Sequence, residues 1–260
     1  MRLLLGVGCA AFLAVPAALA SHEGGAYRRP HVALAWEQHR AVARFARVGR
    51  PVYCGGGRAD AIALTFDDGP GPYTRRLVRI LRAYRARATF FVVGNRVAEW
   101  PGEVKEEATV GVIGNHSFSH ARLTDLPHWA VWLDLLEAQQ SEQGAIGWSP
   151  RLFRAPYERH DRSLDSVVRR LGLVEVLWNV DSRDWARHAT ARAVARRVVD
   201  RLRPGAIVVM HEIHPWTIAA VPRILEVVRR RGWRAVSVPE LLALDPPLGS
   251  SRCLGAARPS

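Results

Sequence analysis

The chain has 260 residues, 48% of them hydrophobic, with a formal net charge of +13 and a pI near 11.0. Apolar content of that order supports a packed core and excludes a disordered chain, and the length suffices for one large or two small domains. Lys105 is the only lysine, so the excess charge is arginine. It is dispersed, with no compact basic block carrying interleaved aromatics, which argues against a nucleic-acid partner and suits an anionic cell-wall polymer.

In chain order, Arg2 and the apolar run "LLLGVGCAAFLAVPAALA" end in Ala18-Leu19-Ala20 before Ser21. A positive start, an apolar stretch and a small-x-small ending predict a secretory signal over residues 1–20, with a membrane anchor as the alternative. No second stretch is long and apolar enough to span a bilayer, so the mature protein is expected to be secreted, extracellular or cell-wall associated. Cleavage removes Cys9 and leaves Cys54 and Cys253, an even pair that in an oxidising compartment predicts a disulfide, two free thiols being the alternative. Residues 21–50 read as a basic arm or linker, in which "VALAWEQHRAVARFARV" has the pattern of one amphipathic helix.

After the turn-rich "YCGGGRAD", short apolar runs alternate with helix-like stretches. The runs are "AIALTF", "ATFFVV", "TVGVIG", "RLFRAP", "LVEVLWNV", "AIVVM" and "RAVSV"; the helical stretches lie near 73–85, 96–108, 124–145, 161–171, 189–202, 217–231 and 239–244. This rhythm predicts βα units and an α/β fold, a single-domain distorted (β/α) barrel of about seven parallel strands. The catalytic domain is expected over 51–246, followed by a coil tail at 247–260. In such barrels chemistry sits at the carboxyl ends of the strands.

Ionisable groups gather at those ends. Asp67 and Asp68 follow the first run, His116 and His120 the third, Arg154 and Tyr157 the fourth, Asp181, Asp184 and Trp185 the fifth, His211 and His214 the sixth. On a helical turn, the four-residue spacing of His116 and His120 would aim both imidazoles at one metal. With an aspartate they form a set that leaves a fourth position for water, whose pKa zinc lowers to about 7. Two adjacent aspartates are tolerable if a metal neutralises one and the other works as a base; an Asx-turn before Gly69-Pro70 is the structural alternative. His211 is a candidate general acid, with Arg154 and Asp184 as partners for a carboxylate and an imidazole.

"TFDDGP", "HSFSH", "RAPY", "DSRDW" and "VMHEIH", in this order, resemble the five motifs of the polysaccharide deacetylase family (carbohydrate esterase family four). The similarity runs from about Ala61 to Leu242. It implies a distorted (β/α) barrel and metal-dependent hydrolysis of acetyl groups on carbohydrate. Carried onto this chain, the resemblance makes Asp67 the base and gives Asp68, His116 and His120 to a divalent metal, usually zinc. It makes Arg154 the orienter of the base, Asp184 the partner of His211, and His211 the acid. The Tyr157 backbone N–H would help stabilise the oxyanion, Trp185 would line the acetyl pocket, and Ser117 matches the small hydroxyl between the histidines.

Five positions depart from the family pattern: Ala155 replaces a proline, Glu158 a glycine and Glu212 an aspartate, and Gly111-Val112 stand where a His-Glu pair is common. None removes a ligand, base or acid. "MHEIHPWTIAAVP" resembles a segment of peptidoglycan N-acetylglucosamine deacetylases, so an acetylated polysaccharide such as peptidoglycan or chitooligosaccharide is the expected substrate. Acetylated xylan and a catalytically silent sugar-binding relative are the alternatives.

Overall fold

The computed structural model describes residues 30–247 together with 253 and 254. The expected signal, Cys9, the first residues of the arm and most of the tail lie outside the described residues. Among the described residues no helix is long and apolar enough to cross a membrane.

The first run becomes β1 (Ala61–Gly69), which is buried along almost its whole length. A strand covered on both faces reads as a continuous apolar run, as "AIALTF" does. Side chains still alternate in direction. Ile62, Leu64 and Phe66 pack outward with residues of α2 (Thr74–Ala83), α4 (Pro101–Val110), α7 (Ala191–Arg201) and α8 (Pro215–Arg230). Ala61 and Ala63 face a second cluster with Phe91, Ile207 and Val236, joined by Phe45 of α1 (Pro30–Val48) and Leu241 of α9 (Val238–Leu244). Thr65 and Asp67 continue the alternation onto that inner face.

The remaining strands are β2 (Ala88–Val92), β3 (Gly111–Asn115), β4 (Leu152–Phe153), β5 (Val174–Glu175), β6 (Val180–Asp181), β7 (Ile207–His211) and β8 (Arg234–Val236). All pairings between them are parallel, in the order β5-β4-β3-β2-β1-β7-β6, with β8 paired to the start of β1. This is the expected distorted (β/α) barrel. The distortion has an identifiable cause. The one run "LVEVLWNV" yields both β5, on β4, and β6, on β7, so the two ends of the strand order are halves of one segment. Between them the carbonyls of Val176 and Leu177 accept hydrogen bonds from the buried Arg154 side chain at 2.8 and 3.2 Å, and so are turned away from any ladder.

The helix expected near 96–108 is two: α3 (Gly94–Glu99) and α4, divided at Trp100. Pro101 at the first position of α4 explains the break, since a residue before proline is pushed out of the helical region. The helix expected near 124–145 is α5 (His128–Ile146), and that near 161–171 is α6 (Arg162–Arg170), capped by the Asp161 side chain. Within the arm, α1 packs Ala41, Val42, Phe45 and Ala46 against the core. Cys54 and Cys253 are joined, linking the approach to β1 with the tail.

Candidate active site

A cavity of about 380 Å³ opens at the carboxyl ends of the strands, and Asp67, Asp68, His116, His120, Tyr157, Trp185 and His211 all line it. Arg154 and Asp184 stand behind it, fully buried.

Two adjacent strand residues normally point to opposite faces. Here the register of β1 against β2 slips between Asp67 and Gly69, leaving Asp68 as a bulge at φ 67°. Asp67 keeps the inner face of the barrel, and the left-handed bulge brings Asp68 to the same cavity. The turn leaves no room beyond it: a Cβ on Gly69 would lie 2.1 Å from Glu212 Oε1. Glu212 is buried and accepts a 2.6 Å hydrogen bond from Thr74 Oγ1.

Asp67 is held from inside the barrel. Arg154 Nη1 donates to Asp67 Oδ1 at 2.7 Å and to Thr65 Oγ1 at 2.7 Å, two of the inward residues of β1. The guanidinium lies over the Phe91 ring, 4.1 Å from its centroid, and its other nitrogens donate to Val176 and Leu177. So many fixed partners leave the arginine one orientation, and through it Asp67 has one too.

His116 and His120 do come together, but not on the helical turn that their spacing suggested. Residues 116–120 form an irregular turn with positive φ at Ser117 and His120. Asn115 Oδ1 accepts from Ser117 N at 2.8 Å, and Ser117 Oγ accepts from His120 N at 2.9 Å. Asp134 of α5 accepts from the backbone N–H of Phe118 and Ser119 and from the Ser119 hydroxyl. A carboxylate that collects these donors substitutes for the helix ladder.

His116 Nδ1 donates to the Arg154 carbonyl at 2.8 Å, which in the neutral ring leaves Nε2 with a lone pair. That Nε2 faces Asp68 Oδ1 at 3.4 Å, and His120 Nε2 faces it at 3.0 Å. Asp68 Oδ1 is buried and accepts no hydrogen bond. Three acceptor atoms turned toward one another, all within 4.8 Å, could hold a cation. The donor set fits a divalent metal, and the Arg154 carbonyl orients a ligand histidine in the usual way.

Across the cavity, His211 Nδ1 donates to Asp184 Oδ1 at 2.7 Å and its backbone N–H to Asp184 Oδ2 at 2.7 Å. Thr217 Oγ1 donates to the same carboxylate at 2.6 Å, and Trp216 Nε1 to the Asp184 carbonyl. Burial opposes the imidazolium, but the Asp184 hydrogen bond and charge, with the charges of Asp67 and Asp68, push the His211 pKa up to about 9. Its Nε2 therefore carries a proton at neutral pH.

Tyr157 sits at φ 62° with its hydroxyl 3.2 Å from His120 Nδ1, and Trp185 is half exposed at the rim. Glu158, which replaces a glycine of the family pattern, lines the cavity too, as do Trp178, Asp181 and His214. The positioning roles of Asn115, Asp134 and Thr217 had no signal in the sequence. Asp134 and Thr217 act through contacts set by packing, not by local spacing, whereas Asn115 acts on the backbone two residues on.

Comparisons with known proteins bear on the family. A family model described as polysaccharide deacetylase matches residues 55–176. The peptidoglycan-N-acetylglucosamine deacetylase PgdA of Listeria monocytogenes is 35% identical over 182 residues, 69% of this chain; the match spans only 38% of that relative's length. A chitooligosaccharide deacetylase of Bradyrhizobium is 32% identical over 198 residues, covering 70% of this chain and 90% of the relative. The family 4 carbohydrate esterase of Streptomyces lividans, solved with acetate, superposes with a TM-score of 0.65 at 36% identity, covering 70% of this chain and 92% of that one. With these likenesses and the five motifs gathered on one rim, the chain belongs to the polysaccharide deacetylase family of hydrolases, carbohydrate esterase family four.

Proposed function

We propose that the protein is an exported, metal-dependent deacetylase that hydrolyses N-acetyl groups on a GlcNAc-containing polysaccharide, peptidoglycan or chitooligosaccharide. The observation that carries the reading is one cavity in which Asp68, His116 and His120 face an Arg154-held Asp67 and an Asp184-held His211.

Asp68 and the Nε2 atoms of His116 and His120 would hold the metal, and zinc suits two imidazoles with one carboxylate. When bound, such an ion supplies Lewis acidity: it polarises a carbonyl and makes water a stronger acid. Asp67, aimed by Arg154, accepts the proton of a water attacking the acetyl carbon. The oxyanion that forms takes a hydrogen bond from the Tyr157 backbone N–H. Protonated His211 delivers its proton from Nε2 to the leaving nitrogen as the C–N bond breaks, giving acetate and a free amine. Asp184 holds that imidazole by Nδ1, so Nε2 is the nitrogen left for transfer. Trp185 covers the acetyl methyl at the rim.

The names of the relatives support a GlcNAc polymer, and the +13 charge suits an anionic wall. The bond between Cys54 and Cys253 suits an oxidising compartment, as an exported protein meets after losing residues 1–20. The layout we assign is an arm over 21–50, a catalytic domain over 51–246 and a tail over 247–260.

Acetate release is measured on peptidoglycan, chitooligosaccharide and O-acetylated xylan, with chelator and with zinc restored. The expected result is release from the N-acetylated polymers, lost to chelator and recovered with zinc. Preference for xylan would overturn the substrate, and no release from any polymer would make the chain a silent binder.

A further inference from the structure

A second group of ligating side chains lies away from the cavity. His160 is in the loop between Tyr157 and α6, Asp165 is in the first turn of α6, and Glu175 is in β5. We propose that these three residues form a second divalent-cation site, separate from the Asp68 centre, which ties the loop carrying Tyr157 to the sheet.

Geometry carries the assignment. His160 Nδ1 lies 3.3 Å from Asp165 Oδ1 and 3.6 Å from Glu175 Oε2. One ligand atom from each residue lies within 4.8 Å of the others, as in the Asp68 group. The spacing also matches the 3.4 and 3.0 Å between donors at Asp68. A cation bound at about 2.0–2.2 Å from each donor sets neighbouring donors roughly 3–3.5 Å apart.

Glu175 supplies the independent observation. It is 4% exposed, its side chain is aimed at His160, and neither of its oxygens accepts a hydrogen bond. A buried carboxyl without hydrogen bonds needs a counter-charge or a proton. The Tyr53 hydroxyl, 3.3 Å from His160 Nε2, holds the ring from the far side. A cavity of about 10 Å³, room for one water, adjoins Asp165 and Glu175; Arg50 and Arg169 share its wall. One imidazole and two carboxylates, with no thiolate, select a first-row divalent ion of the zinc or manganese kind.

The site's role is structural. His160 is three residues beyond Tyr157, and Glu175 precedes the carbonyls of Val176 and Leu177 that hold Arg154. An ion joining them would fix the loop at one side of the cavity.

The test is a metal count. Purified chain is stripped with chelator, reloaded with zinc, freed of excess by gel filtration and analysed by mass spectrometry. Two equivalents are expected in the wild type, one in Glu175→Gln, one in the double variant His116→Ala/His120→Ala, and none when all three changes are combined. If Glu175→Gln does not fold, His160→Gln is expected to give the same single equivalent. One equivalent in the wild type, kept by Glu175→Gln or His160→Gln, overturns the proposal and leaves the Asp68 centre standing; it would mean that His160 is a proton-bearing partner of the two carboxyls. Two equivalents kept in those variants also overturns it. One equivalent in the wild type, lost in them but kept in the double variant, supports this site and counts against the Asp68 centre.

Discussion

Asp67 and Asp68 are adjacent carboxylates with different surroundings, so they are expected to fail differently. Asp67 meets Arg154, whereas Asp68 meets two imidazole nitrogens. Asp68→Ala should lower zinc affinity and acetate release together, with partial recovery in excess zinc. Asp67→Asn should keep most of the metal yet lose about 100-fold or more in rate, without recovery in zinc. Metal content and acetate release measured on both variants decide it; equal metal loss in the two, or a near wild-type rate for Asp67→Asn, contradicts the division of roles. His211 offers a pH test. Its pKa is raised to about 9, chiefly because Asp184 outweighs the effect of burial, so a general acid there stays protonated until the pH climbs through that value. Asp184→Asn removes the negative partner and lowers the pKa of the imidazolium. The alkaline limb of the pH–rate profile should then move toward neutral pH, and an unmoved limb would assign it to another group.

At the scale of elements, the histidine pair depends on a turn that a helix polices from outside. Asp134 accepts from Phe118 N at 2.7 Å and Ser119 N at 3.3 Å, and also from the Ser119 hydroxyl. Asp134→Ala leaves those donors unpaired and frees the turn, and it touches neither imidazole. Partners of this kind commonly contribute 10–100-fold in metal affinity. Zinc titration of Asp134→Ala is therefore expected to give an affinity about 10-fold or more weaker with folding intact by circular dichroism. Unchanged affinity would mean that the turn is held by Asn115 and Ser117 alone. The fifth βα unit has a comparable dependence: its strand run is interrupted where Arg154 takes two carbonyls, so the residue that orients Asp67 also shapes the barrel wall.

At the scale of the molecule, the disulfide connects residues 199 apart in sequence and closes the side of the barrel opposite the cavity with α1 and α9. Its main effect is on the unfolded chain, so Cys54→Ser/Cys253→Ser should lose roughly 2–4 kcal/mol of stability while acetate release at low temperature changes little. Denaturant unfolding of both proteins measures the loss; a difference below about 1 kcal/mol would make the bond incidental to stability. Sequencing the secreted form tests export, with Ser21 expected first and Met1 contradicting cleavage.

The architecture and the rim of ionisable residues were legible in the amino-acid order because both are written locally. Apolar runs of strand length alternating with helical stretches specify parallel βα units, and any polar group placed just after such a run lands on one rim. "TFDDGP", "HSFSH", "RAPY", "DSRDW" and "VMHEIH" are therefore readable without coordinates. Folding in three dimensions decided how those groups face one another. A slip in the ladder turned Asp68 to the side of Asp67, Asp134 replaced a helical turn with a clamped loop, and Arg154 split one strand run in two. The same holds for His160 and Glu175, which a loop and β5 bring within 3.6 Å only in the folded chain. The Asp134 clamp and the Arg154 contacts rest on polar groups that find partners far along the chain, as Arg154 does with Asp67 across 87 residues. Such pairings are chosen by burial, which penalises every unmatched donor and acceptor, and burial exists only once the whole chain has packed.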